Sequence, residues 1–100
     1  MPSIYTVTLN PALDKTVQVS NFAVDQVNRI TWLRQDAGGK GINVSKVIAK
    51  LGGESTAIAV LAGQTGKWIA DTLGENNIKV QAISVPGETR TNLQVADTDG

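Results

Sequence analysis

A glycine-rich segment at residues 38–41 separates two hydrophobic patterns and most constrains how this chain can fold. Before it, apolar and polar residues alternate with a period of two, which is typical of half-buried strands. After it, apolar residues recur with helical spacing, at Val44, Val47, Ile48 and Leu51. This spacing predicts a helix with one buried stripe. A strand that passes through a glycine turn into a helix favours an α/β fold.

Short apolar or alternating segments predict the strands around this helix. They lie at 4–9, 15–22, 29–33, 55–61, 78–85 and 90–96. A second helix is predicted at 67–73, after a turn at 63–66. In the last strand Arg90, Asn92 and Gln94 share one face. The order of elements predicts an α/β protein with a partly parallel sheet and crossover helices.

Capping residues predict where the first helix begins and ends. Asn43 is the predicted N-cap, since its side-chain oxygen can accept from first-turn amides. Gly52 and Gly53 supply the left-handed conformation that ends helices. Trp32 and Trp68 are interpreted as core or interface residues.

Composition excludes several kinds of chemistry. The 100 residues include no His and no Cys, so a Ser-His-Asp triad, a thiol nucleophile and a disulfide are impossible. Nine basic and nine acidic residues balance, which argues against a general nucleic-acid binder. The first 50 residues carry six basic and three acidic groups (+3) and the rest carry the reverse (−3). This split favours an anionic ligand near the first half, although uneven surface charge explains it equally well.

The two ends of the chain carry further signals. Residues 1–3 lack a basic leader, and no apolar run approaches the roughly 18 residues of a membrane span. We therefore expect a cytoplasmic protein without a membrane partner. The sequence of residues 97–100 (Asp-Thr-Asp-Gly) is typical of a turn at which a hairpin would return, so we expect the chain to be part of a longer protein.

The glycine-rich segment is also the most informative candidate binding site. Glycines let a ligand approach the backbone, and a helix start offers unpaired amides that favour oxyanions or hydroxyl-rich ligands. Lys40 adds a full positive charge. The segment matches neither a Walker A loop nor the dinucleotide fingerprint. A tight turn without a ligand explains the spacing equally well.

Three charged residues outside this segment are candidates for ligand contact. Asp14 follows the turn at residues 10–11, beyond the carboxyl end of the first strand, where a carboxylate can accept from sugar hydroxyls. Arg90, beside Asn92, can bind a phosphate with two hydrogen bonds. Arg29 is a weaker candidate of the same kind. Each of them, considered alone, is more commonly an ordinary turn or solvated residue.

Three segments occur in one order that resembles a known family. They are residues 8–14 (Thr-Leu-Asn-Pro-Ala-Leu-Asp), 37–45 (Ala-Gly-Gly-Lys-Gly-Ile-Asn-Val-Ser) and 87–92 (Gly-Glu-Thr-Arg-Thr-Asn). Together they resemble the N-terminal third of ribokinase-like (PfkB-family) carbohydrate kinases, most nearly the 1-phosphofructokinase and tagatose-6-phosphate kinase branch. The resemblance implies a three-layer α/β/α sandwich in a single kinase domain, with lid strands at about 15–22 and 29–36.

The resemblance also implies roles for individual residues. Asp14 would bind sugar hydroxyls and Arg90 would contact the substrate, with Arg29 a further candidate. The residues implied to line the sugar site are Gly38, Gly39, Lys40 and Asn43. No catalytic base and no metal ligand is expected among the 100 residues. The family places its base, the Asp of a Gly-Ala-Gly-Asp motif, with the ATP and magnesium sites in the C-terminal part, and this chain lacks that motif.

The implied activity is ATP-dependent phosphorylation of a phosphorylated ketohexose, fructose 1-phosphate to fructose 1,6-bisphosphate, with ATP and Mg²⁺ as cofactors. A tagatose-6-phosphate kinase, a 6-phosphofructokinase and a non-catalytic sugar-phosphate-binding module remain alternatives. The 100-residue chain alone is expected to be inactive. The lid implies a homodimer, because the two predicted lid strands have a spare apolar face.

Overall fold

The computed structural model describes residues 3–20, 22–24 and 27–97, and this part of the chain forms two sheets and two helices. The elements are β1 (Tyr5–Thr8), β2 (Ala12–Val19), β3 (Ile30–Gly38), α1 (Lys40–Lys50), β4 (Thr56–Leu61), α2 (Gly63–Glu75), β5 (Lys79–Ser84) and β6 (Arg90–Asp97). Each predicted strand has a counterpart, with ends shifted by a few residues. Residue 21, inside the predicted strand 15–22, lies outside the described residues.

The first sheet is parallel, with the strand order β1-β4-β5. Both helices pack on it, as crossover connections between parallel strands require. Ile42, Ile69 and Leu73 are completely buried against Ala57 and Ala59 of the central strand. Alanines on the sheet let the helices approach closely, and Trp68 packs at the edge of this core. The predicted α/β class is confirmed.

The second sheet has the order β3-β2-β6, with β2 antiparallel to β3 and parallel to β6. The sequence predicts strand β6 but not its place here, beside the two strands expected to form a lid. Register places Asp14 beside Asn92 on one face, which also carries Trp32, 44% exposed. The opposite face carries apolar side chains, among them the exposed Leu33 and Leu93.

Helix α1 buries a different face from the one that hydrophobic spacing predicts. Ile42 and Ser45 are completely buried, whereas Val44, Val47 and Leu51 are 51%, 56% and 82% exposed. The predicted stripe is therefore wrong. Periodicity alone does not say which face meets the sheet.

A buried group of three hydroxyls explains why a serine takes the inward position. The Ser45 hydroxyl lies 2.7 Å from Thr6 Oγ1 of β1 and accepts from Ser55 Oγ at 2.8 Å. The three short side chains satisfy one another's hydrogen bonds, so their burial carries no unpaired polar group. Small residues also bring the helix close to the sheet.

The ends of α1 agree only in part with the prediction. The helix begins at Lys40 with Gly39 as N-cap, so the prediction of Asn43 as N-cap is wrong. At the other end Gly52 has φ 82°, and the Gly53 amide donates to the Ile48 carbonyl at 2.9 Å. This is the glycine-terminated helix end that the sequence predicts.

Helix α2 is a full turn longer at its start than predicted. Residues 63–66 are its first turn, not a loop, so the predicted turn is wrong. The helix continues through Gly74 and ends where Asn77 adopts φ 63°. The amide of Ile78 donates to the Leu73 carbonyl at 3.0 Å, and both side chains join the core.

Candidate functional site

The candidate site lies where the two sheets meet, at the carboxyl end of β1. Ala12 of β2 pairs with Gly38 on one side and with Arg90 on the other. Three connections between the sheets therefore pass through one place: the entry to β2, the exit from β3 and the entry to β6. Loops beyond the carboxyl ends of parallel strands are where open α/β sheets bind ligands.

Asp14, Asn92 and Arg90 form a hydrogen-bonded chain on one face of the second sheet. Asp14 is the third residue of β2, one residue before the predicted start of this strand. Asn92 Nδ2 donates to Asp14 Oδ1 at 3.0 Å, and Arg90 donates to Asn92 Oδ1 at 3.4 Å and to the Asn10 carbonyl at 3.5 Å. The predicted carboxylate and guanidinium are thus brought together by an amide that the sequence analysis did not place among the site residues.

Two glycines of the site have backbone in close contact with neighbouring groups. A Cβ at Gly38 would lie 2.1 Å from Asp14 Oδ2, so the carboxylate rests directly over this glycine. A Cβ at Gly41 would lie 2.6 Å from both Thr8 Oγ1 and the Val7 carbonyl oxygen. The glycine-rich segment therefore packs against the end of β1 and against the candidate ligand-binding carboxylate.

Thr8 holds the start of α1 and was missed by sequence reasoning. Its hydroxyl accepts from the Ile42 amide at 2.9 Å, and Thr8 is buried. The first amides of a helix have no partner within the helix. Thr8, which belongs to another element, supplies an acceptor for one of these amides. A polar residue on the buried face of β1, just before the turn, was the available signal.

A cleft of about 340 Å³ opens beside this contact. It is lined by Val7, Thr8, Leu9, Asn10, Gly39, Lys40, Gly41 and Arg90. Two cationic side chains and the glycine-rich helix start share this cleft, and no acidic side chain lines it. The arrangement favours an anionic group.

A larger cleft of about 490 Å³ lies between the second sheet and the ends of the helices, but it contains none of the predicted site residues. Two of its cations already have partners. Arg34 Nε contacts Asp36 Oδ2 at 2.9 Å, and Lys46 donates to the Ala37 carbonyl. The smaller cleft, which has two cationic side chains and a helix start in its lining, is the better candidate for a binding site.

Two predicted residues lie apart from this group. Asn43 is one turn inside α1 with an exposed side chain. Arg29 precedes β3, whereas Asp14 pairs with Asp36. Seven residues of extended strand span roughly 23 Å, so the structure does not bring Arg29 to the other site residues within one chain.

Glu88 and Thr89, just before Arg90, attach the start of β6 to the first turn of α2. The Glu88 carboxylate accepts from the Thr65 amide, and this hydrogen bond is the main cause that lowers the pKa of Glu88. Thr89 Oγ1 accepts from the Ala62 amide at 2.9 Å. Sequence reasoning did not single out either role, because the partners lie more than twenty residues away.

Residues 3–20, 22–24 and 27–97 contain no group of three or more acidic side chains placed to hold a metal ion. Neither helix in this part of the chain has the length and apolarity needed to cross a bilayer.

A parallel sheet with crossover helices, and a site at its strand ends that combines a carboxylate, two cations and a glycine-rich helix start, are features of α/β proteins in which polar, anionic small molecules can bind at the strand ends. Residues 7–100 match the pfkB family of carbohydrate kinases. The chain belongs to this family and has its ribokinase-like fold.

Relatives agree with this assignment. A 1-phosphofructokinase from Bacillus subtilis (strain 168) is 40% identical over 96 residues, which are 96% of this chain and 32% of that protein. A crystal structure from Staphylococcus aureus, provisionally named a phosphofructokinase, has a TM-score of 0.91 at 43% identity and covers 95% of this chain and 31% of its own. Phosphofructokinase-2 from Escherichia coli, crystallised with fructose-6-phosphate, has a TM-score of 0.86 at 37% identity over 98% of this chain and 32% of its own. The chain thus spans about a third of the length of these relatives.

Proposed function

We propose that these residues form the sugar-binding side of an ATP-dependent kinase that phosphorylates a phosphorylated ketohexose, with fructose 1-phosphate as substrate and fructose 1,6-bisphosphate as product. The observation that carries the proposal is the hydrogen-bonded chain from Asp14 through Asn92 to Arg90. In the proposed site, the carboxylate would accept from sugar hydroxyls and the nearby guanidinium would bind the phosphate. A sugar phosphate needs both groups.

Asp14 would receive the hydroxyls of the sugar. Its Oδ1 accepts from Asn92, which fixes the carboxylate on the face of the second sheet. Its Oδ2 lies over Gly38, where the absence of a side chain leaves room for the carboxylate itself. A fixed carboxylate can accept from two hydroxyls and so orient the acceptor.

Arg90 and Lys40 would receive the phosphate that the substrate already carries. Both line the cleft beside the start of α1, where the backbone adds a partial positive charge. A guanidinium binds a phosphate with two parallel hydrogen bonds, whereas an ammonium contributes a point charge. Phosphorylated sugars would therefore bind more tightly than unphosphorylated ones.

In the proposed reaction a sugar hydroxyl oxygen attacks the γ-phosphorus of ATP, the bond from that phosphorus to the ADP oxygen breaks, and the hydroxyl proton passes to a base. The described residues do not fit a magnesium site, and we assign them no part in the transfer step. We propose that the base, the nucleotide site and Mg²⁺ belong to the part of the relatives that this chain does not span. The described residues would bind and orient the acceptor.

Sugar-dependent release of ADP tests the proposal. The full-length protein, with the proposed base and nucleotide site, is mixed with ATP, Mg²⁺ and, separately, fructose 1-phosphate, fructose 6-phosphate, tagatose 6-phosphate and fructose. We expect kcat/KM to be highest with fructose 1-phosphate and to fall roughly 100-fold or more in Asp14→Ala, because the acceptor hydroxyl is no longer oriented.

The other outcomes separate the alternatives. A faster reaction with another hexose phosphate would change the substrate but keep the kinase. Binding of a sugar phosphate without ADP release would favour the non-catalytic module. Full activity in Asp14→Ala would refute the role of this carboxylate.

The homodimer through the second sheet stays a prediction. The support for it is the apolar face of that sheet, on which Leu33, Leu93 and Val95 are 49%, 62% and 46% exposed. Burial of such a face against a second copy would remove apolar surface from water.

A further inference from the structure

We infer that Glu88 and Thr89 are positioning residues that attach the phosphate-binding arm of the site, Arg90 with Asn92, to the first turn of α2. The inference rests on the proposed function, since it gives the arm its role in sugar-phosphate recognition. It adds two residues that touch no ligand in the proposed site and act through the backbone of their neighbour.

Thr89 and Ala62 hold each other by two hydrogen bonds. Thr89 Oγ1 accepts from the Ala62 amide at 2.9 Å, and the Thr89 amide donates to the Ala62 carbonyl at 3.0 Å. Ala62 is the N-cap residue of α2, and both residues are more than 90% buried. A buried pair of this kind fixes the backbone of Thr89, and therefore the starting point of Arg90.

Glu88 adds a charged contact one residue earlier. Its carboxylate accepts from the Thr65 amide in the first turn of α2, where a negative charge is favoured by the helix dipole. A Cβ at Gly63 would lie 2.1 Å from this carboxylate, and one at Gly66 would lie 3.2 Å from Thr89 Oγ1. The two glycines of this turn thus leave room for both residues.

The arm needs such an attachment because Arg90 is weakly held by its own side chain. Its two hydrogen bonds are long, at 3.4 and 3.5 Å, and its side chain is exposed. The link before it contains Gly87 with φ 103°, in an exposed turn. The contacts of Glu88 and Thr89 separate this turn from the arm, so that motion in the turn does not reach the guanidinium.

Kinetics of threonine variants test the inference. Thr89→Val keeps the shape but removes the acceptor of the Ala62 amide, and we expect KM for fructose 1-phosphate to rise roughly tenfold with kcat within about twofold. KM for unphosphorylated fructose should stay within about twofold. Thr89→Ser keeps the oxygen and should restore KM. Glu88→Ala, at an exposed residue, should fold and raise KM in the same selective way.

Thr91→Val is the matched control. Thr91 is exposed and lies on the face of β6 opposite to that of Arg90 and Asn92. An unchanged KM in both Thr89→Val and Glu88→Ala would overturn the inference while leaving the kinase in place. Equal losses with fructose and fructose 1-phosphate, or no rescue by serine, would indicate a merely structural role and would also overturn it.

Amide hydrogen exchange separates this inference from the proposed function. If the full-length wild-type protein turns over no sugar, the proposed function fails. The attachment is then supported if Thr89→Val exchanges faster at β6 but not at β5, and it is refuted if exchange at β6 is unchanged.

Discussion

Gly38 and Gly41 lie three residues apart, but an added methyl group would meet different neighbours. At Gly38 it would meet the end of a movable side chain, Asp14 Oδ2, at 2.1 Å. At Gly41 it would meet the backbone carbonyl oxygen of Val7 at 2.6 Å. A carboxylate can swing away from a methyl group, whereas a strand backbone cannot.

We therefore predict that one alanine substitution affects ligand binding and the other affects stability. Gly38→Ala should leave the free energy of unfolding within about 1 kcal/mol but weaken sugar-phosphate binding by about tenfold or more, because Asp14 is displaced. Gly41→Ala should lower the free energy of unfolding by about 2 kcal/mol or more. Urea unfolding and calorimetric titration of both variants would check this, and a stable Gly38→Ala that binds normally would contradict it.

At the residue scale, local chemistry was predicted better than partners. The proposed roles of Asp14 and Arg90 rest on residue type and position, and the structure brings the two side chains to one place. Thr8 and Thr89 were not singled out, because each serves a helix that is distant in sequence. Whether a threonine caps a distant element depends on contacts that no local pattern records.

Two glycines near helix ends have equal space around them but differ in backbone conformation. Gly52 and Gly74 both have open space where a Cβ would lie, but only Gly52 has a positive φ, 82°. Gly74 lies inside α2 near its end. The two positions separate the effect of backbone conformation from the effect of crowding.

Gly74→Ala is expected to raise the free energy of unfolding by about 0.5–1 kcal/mol, because alanine loses less backbone entropy in a helix. Gly52→Ala should lower it by about 1 kcal/mol, since alanine is strained in the left-handed region. Thermal and urea unfolding of the pair would measure both values. Changes of the same sign would show that the two backbone conformations differ from those described.

At the element scale, strands were predicted more accurately than helix starts. Short apolar or alternating segments identify β4 and β5 within two residues at either end. Both helices begin three or four residues earlier than predicted, in glycine-containing turns that lack an apolar pattern and have no side-chain cap of their own. Their first-turn amides are instead satisfied by Thr8 and Glu88, from other elements.

Over the whole molecule, the sheet to which β6 belongs was the main topological feature that the sequence did not predict. The pattern of apolar residues is the same for a strand in either sheet. The choice is made by the attachment of Glu88 and Thr89 to α2 and by the pairing of β6 with β2. Such pairings depend on the path of the whole chain.

The Glu88 contact should also give stability a dependence on pH. The hydrogen bond from the Thr65 amide lowers the pKa of Glu88 in the folded protein. A carboxylate with a lowered folded pKa contributes stability above its ordinary pKa and loses that contribution as the pH falls through the folded value. The stabilisation is therefore present at neutral pH and lost in acid.

Glu88→Gln isolates this contribution, because glutamine keeps the shape without the charge. The difference in free energy of unfolding between wild type and variant should be constant from pH 7 to 6 and should shrink below about pH 4.5, the ordinary value. Urea unfolding at several pH values would measure it. A difference that does not change with pH would contradict the charged contact.

The positions of the two tryptophans make the halves of the molecule optically distinct. Trp68 packs beside the core of the first sheet, and Trp32, 44% exposed, lies on the second. An indole in a drier environment emits at shorter wavelength than one in water. Two variants that each keep only one tryptophan would therefore differ in their wavelength of maximum fluorescence. Loss of structure around each sheet could then be followed separately, without any attached dye.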